Sequence, residues 1–95
     1  MNKYTIAILN KSTGDLLVLM EMHRPRFTKR EFDLVIGEMF YWAAKSCEYD
    51  HLTAEIICNG EKVITITCKT RQDGSEVYSV ITANDKPVRC MTVAA

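Results

Sequence analysis

Glycine and proline are scarce in this 95-residue chain, at four and two residues, and neither sign of charge prevails, with twelve Lys and Arg against twelve Asp and Glu. The first shortage excludes collagen-like and low-complexity chains. The balance excludes the basic field of a histone-like protein and the acidic field of a DNA mimic. Long apolar runs are also missing, and nothing approaches the ~20 residues that cross a bilayer. The run from Tyr4 to Leu9 is too short for the apolar core of a signal peptide and gives way to the polar stretch Asn10 to Asp15. The expected compartment is the cytoplasm. Cys47, Cys58, Cys68 and Cys90 stand eleven, ten and twenty-two residues apart, without the C-x-x-C pair of zinc and redox sites. They read as free thiols acting as small hydrophobes.

What is present is the composition of an ordinary globular domain, 47% hydrophobic and 25% charged, in a length that makes one domain over residues 1–95. Tyr4 to Leu9 and Leu16 to Met22 read as a hairpin across the turn residues Asn10 to Asp15. The second strand is apolar on both faces for five residues, so it is central in a sheet or meets a partner. Thr28-Lys29-Arg30-Glu31 fits a reciprocal capping box. From that cap Phe32, Val35, Ile36, Met39, Phe40, Ala43, Ala44 and Cys47 recur at helical spacing over four turns. This predicts a long helix, with Tyr41 and Trp42 flanking its buried stripe and Gly37 allowing close approach to the sheet.

Leu52 to Cys58, Glu61 to Lys69, Glu76 to Ala83 and Val88 to Val93 read as four further strands, separated by Asn59-Gly60, Thr70 to Gly74 and Asn84 to Pro87. A tight two-residue turn at Asn59-Gly60 would put Ile64 and Ile66 on the face opposite Ala54 and Ile56. A three-residue bulged loop pairing Leu52 with Ile66 and Ala54 with Ile64 is therefore expected. The order is β-β-α-β-β-β-β: an α+β fold, a mainly antiparallel sheet with one helix packed on one face. The other face combines Thr53, Glu55, Thr65, Thr67 and Thr82 with Leu17, Leu19 and Ile57, and a homodimer packed through part of it is expected.

The strongest local signal is His23-Arg24-Pro25-Arg26-Phe27-Thr28-Lys29-Arg30, which holds four of the twelve Lys and Arg. A helix N-terminus normally favours acidic residues, so cations there point to an anionic ligand or partner. Arg24, Arg26, Phe27, Lys29 and Arg30 are the candidate partner- or anion-binding residues. The competing reading pairs the arginines with Glu31, Asp33 or Glu38 and uses Phe27 as a hydrophobic staple. Cys47, Asp50, His51 and Cys68 are a looser group whose spacing matches no metal site, and the methionines read as core filling. Neither histidine, His23 or His51, sits in a nucleophile elbow or beside paired carboxylates, and four glycines leave no phosphate cradle. No catalytic residue, metal or cofactor is expected.

Taken together, the capped segment Arg26-Phe27-Thr28-Lys29-Arg30-Glu31-Phe32 and the meander around Cys58-Asn59-Gly60-Glu61-Lys62 resemble small accessory proteins encoded by bacteriophages and prophages. The resemblance implies a cytoplasmic, non-catalytic binder and transfers no functional residue. The leading expectation is a homodimeric binding protein acting on a protein partner. The alternative is grip on a nucleic-acid phosphate backbone through residues 23–30, joined by Lys69 and Arg71 if their turn lies on the same side.

Overall fold

The computed structural model describes residues 1–94. Strands β1 (Asn2–Asn10) and β2 (Leu16–Arg24) lead into helix α1 (Lys29–Ala43). A single 3-10 turn (Tyr49–His51) then enters β3 (Leu52–Cys58), β4 (Glu61–Thr70), β5 (Val77–Ala83) and β6 (Lys86–Ala94). The six strands form one antiparallel sheet in the order β2-β1-β3-β4-β5-β6. This is the expected α+β fold in the expected element order. Among the described residues no helix is long and apolar enough to cross a membrane.

The helix is shorter than its apolar stripe. Thr28 is extended (φ −75°, ψ 158°) and its Oγ1 accepts from Glu31 N–H at 3.1 Å, which starts the helix. The reciprocal arm of the box is absent, because Glu31 turns to Arg24, whose Nε lies 3.2 Å from Oε1 as an ion pair rather than an aligned hydrogen bond. At the other end, Lys45 N–H and Ser46 N–H donate to the carbonyls of Trp42 and Ala43, three residues back. These tighter bonds end α1 at Ala43, after about 22 Å. The chain must reverse there, since Asn10 pairs with Leu52 and Lys11 N–H donates to His51 O at 2.8 Å. Cys47 still packs on the core from outside the helix.

The buried side of α1, made of Phe32, Ile36, Met39, Phe40 and Ala43, covers Ile6 and Ile8 of β1, Leu52, Ala54 and Ile56 of β3, Ile66 and Cys68 of β4, and Ile81 of β5. Tyr41 and Trp42 face solvent, with Lys45 Nζ 4.7 and 5.3 Å from their ring centroids. The sheet curves around the first turns of the helix. Arg24, at the end of edge strand β2, reaches Glu31, and Arg89, on edge strand β6, reaches Asp33.

Gly37 does not serve close approach, since nothing lies within 4 Å of where its Cβ would be. It costs helix propensity without a contact in return. Gly37→Ala is expected to raise unfolding stability by about 0.5–1 kcal/mol, read from the denaturant midpoint at unchanged m-value; an unchanged or lower midpoint would show that the position does meet something.

The β3–β4 hairpin has neither the expected bulged-loop register nor that of a regular two-residue hairpin. Asn59 (φ 51°) and Gly60 (φ 85°) are both left-handed and make a tight two-residue turn that pairs Cys58 with Glu61 and Ile57 with Lys62. The register then shifts by one, leaving Val63 extra, so that Ile56 pairs with Ile64 and Ala54 with Ile66. The bulge sits in the strand rather than in the turn, and it returns the isoleucines to the helix side. The β5–β6 hairpin repeats the device. Asn84 (φ 53°) and Asp85 (φ 61°) turn the chain, so β6 begins at Lys86 rather than Val88. Pro87, which has no N–H to offer, fits this edge strand, and a shift there leaves Val88 extra.

Strand β2 lies at an edge and is not central, because β1 is inserted between β2 and β3. Leu17 is the extra residue where the β1–β2 register shifts, and it packs on the core instead of on the outer face. That outer face carries Thr5, Thr53, Thr65, Thr67 and Thr82, together with the ion pairs Lys3–Glu21 and Lys62–Glu55.

Candidate functional site

Three segments meet at one corner of the sheet through asparagine side chains. Lys3 N–H donates to Asn59 Oδ1 at 2.9 Å, Asn59 Nδ2 donates to Asn2 Oδ1 at 3.0 Å, and Asn2 Nδ2 donates to Pro25 O at 2.7 Å. Asn59 also sits in the left-handed region that its short polar side chain tolerates. The start of β1, the β3–β4 turn and the approach to α1 are thereby tied together. This fixes where Arg26 and Phe27 enter the helix.

Phe27 is half-buried, with its ring centroid 4.7 Å from Tyr4 and 6.2 Å from Phe32, nearly perpendicular to the latter. It is the staple residue before the cap, packed on the residue four positions into the helix. These three rings form one wall of a cleft of about 460 Å³ between the helix N-terminus and the sheet. Ile56, Ile64 and Ile81 also line it, together with Val63 and Val88, the two bulge residues. The apolar lining and the volume fall in the range of ligand and anchor pockets.

The rim is cationic. Arg26 and Lys29 are exposed, and neither has an ion-pair partner among the described residues. Arg89 also borders the cleft, but its guanidinium is held by Asp33 through bonds of 2.5 and 3.3 Å and lies 5.6 Å from the Phe32 centroid. Of the five candidate residues, the fold therefore brings Arg26, Phe27 and Lys29 to one cleft. Arg24 is spent on Glu31, and Arg30 lies on the other side of the first turn, beside Leu34 and Val35. Arg89, Val63 and Val88 went unnoticed in the sequence because no local pattern marks a residue left over by a register shift, or an ion pair between residues 56 apart.

Other groups offer less. A larger hollow of about 860 Å³ near the β4–β5 loop has charged groups already paired, Arg71 with Glu76 and Asp73 with Ser75. The Ser75 hydroxyl and N–H hold the Asp73 carboxyl below its usual range. Ser12 Oγ lies 3.1 Å from His51 Nδ1, a pairing the sequence did not suggest, but Asp50 is turned away to Thr70 N–H and Oγ1. A triad needs a third group orienting the histidine, and Asp50 does not fill that role. Cys68 is buried beside Asp50, and burial first, then that carboxylate, pushes its thiol up to about 12. All four cysteines are free, with Cys90 exposed. Among the described residues no three His, Cys, Asp or Glu side chains group as metal ligands. Compared with protein-family models, curated proteins and solved structures, the chain matches none.

Proposed function

We propose that this is a non-catalytic binding protein that docks a protein partner at the cleft between the helix N-terminus and the sheet. The observation that carries the reading is the apolar cleft with two uncommitted cations, Arg26 and Lys29, on its rim. Such a site suits an apolar side chain presented next to carboxylates: the side chain displaces water from the valine and phenylalanine walls, and the cations select acidic neighbours. A phosphate backbone would use the cations but gain nothing from the walls. The rings of Tyr4, Phe27 and Phe32 are packed against one another and not offered to stacking bases. Arg24 and Arg30 also fail to continue Arg26 and Lys29 into a track.

The test is retention of partner proteins on immobilised wild type at about 0.1 M and about 0.5 M salt, and on Arg26→Glu/Lys29→Glu at about 0.1 M, because at about 0.5 M charge is screened within a few ångströms. Wild type is expected to keep its partner, and the variant to bind it roughly tenfold or more weakly, at an unchanged Tm because both residues are exposed. Equal retention by both proteins would remove the cleft from the reading. Nucleic acid that accompanies the protein at low salt and leaves at high salt would replace the protein partner with a phosphate backbone.

A further inference from the structure

The two edges of the sheet are built differently. β6 carries Pro87, two register shifts, and an arginine drawn inward to Asp33. These features blunt an edge against pairing with another strand. β2 has no proline, and its own inward arginine, Arg24 drawn to Glu31, is its last residue. Its single register shift lies near its start, and from Val18 to Arg24 it pairs regularly with β1, leaving the other side of the strand free.

The helix-side row of this free edge is apolar, and its outer row is Leu19, Glu21 and His23. Val18, Met20 and Met22 stand opposite Ile8, Ile6 and Tyr4 of β1, on the helix side of the sheet, and Leu19 stands opposite Ala7 on the outer side. Leu16 and Leu19 are each 54% exposed and Met20 is 38% exposed, although β2 is nine residues of mostly apolar sequence. The apolar helix-side row and the exposed Leu19 have only one neighbouring strand to cover them.

We infer that the second neighbour is β2 of another copy of this chain, the two strands pairing antiparallel about a two-fold axis near Met20 and joining the sheets edge to edge. Self-pairing matches the pattern of the strand. With both helices on the same side, the row Val18, Met20, Met22 of one copy meets the same row of its mate, apolar on apolar. The antiparallel direction also sets the acidic start of the segment, Asp15, beside its basic end, where His23 has no ion-pair partner among the described residues and Arg24 is already held by Glu31. A two-fold edge contact is closed, so it consumes both free edges and stops at a dimer. No β2 residue lines the cleft, so this inference does not depend on the cleft's function.

The experiment is light scattering and sedimentation across a wide concentration range on wild type, Met20→Lys, Met20→Glu, and an equal mixture of the two variants. Met20 is not packed against the core cluster, so both variants should fold, which thermal unfolding checks. Wild type is expected to be a dimer. Each variant alone places like charges next to the axis and should associate at least tenfold more weakly. The mixture places opposite charges there and should recover the dimer. A monomeric wild type at every concentration, dimers that persist in either variant alone, or a mixture that stays monomeric would each overturn the edge-to-edge pairing.

Discussion

Phe40→Ala is expected to lose about 3–5 kcal/mol of unfolding stability, the range for truncating a fully buried phenylalanine. Phe40 is 0% exposed and lies on the one α-helix of the described chain, in the cluster that joins Ile36 and Met39 to Ile6, Ile8, Ala54 and Ile56 of the sheet. Removing its ring withdraws apolar area and leaves a cavity that a two-layer structure cannot close without moving α1. A domain of this size holds about 5–15 kcal/mol in total, so the loss is a large share of it, and Tm should fall by upwards of roughly 12 °C. Leu34→Ala, on the exposed side of the same helix, is the control and should change stability by no more than about 0.5 kcal/mol. A Phe40→Ala variant within about 1 kcal/mol of wild type would mean that α1 is not seated on the sheet through this side.

Arg89→Ala should cost about 2 kcal/mol and disturb the cleft as well. Arg89 and Asp33 are each about one-third exposed and joined by two hydrogen bonds, so the pair lies between the exposed and the buried limits. Truncating the arginine removes the guanidinium from over the Phe32 ring, leaves the Asp33 carboxylate without its counter-ion and releases β6 from the helix. Arg89→Lys keeps the charge but not the two-pronged geometry, and should recover only part of the loss. In a double-mutant cycle, Asp33→Ala/Arg89→Ala should cost less than the sum of the single changes, by about 1 kcal/mol or more. Strict additivity would show that the pair contributes nothing across the helix–β6 contact. Because Arg89 and Val88 border the cleft, Arg89→Ala should also weaken partner retention, whereas Gly37→Ala, remote from the cleft lining, should leave it unchanged.

The arginine pairs illustrate how far local sequence carries. Arg24 with Glu31 was among the pairings that charge alone suggests, since the residues are seven apart and flank one helix cap. Arg89 with Asp33 was not, because it requires the sheet to curve until β6 returns to the helix that precedes it by four strands. The cap itself was half legible. A threonine three residues before a glutamate predicts the bond to Glu31 N–H, but the destination of the glutamate side chain depended on the arginine that the fold delivered.

Pattern and composition alone determined the element types, their order and the helix-facing residues, because helical and strand periodicities are local and the apolar stripe of α1 has one way to be buried. The basic segment and its staple Phe27 were visible for the same reason. Tertiary structure decided the place of β1 between β2 and β3, the two bulges that deliver Val63 and Val88 to one cleft, and the division of five candidate residues into three that meet and two that do not. Strand order and register are set by pairing between distant segments, where a slip of one residue exchanges the faces, and no short window of sequence contains both partners.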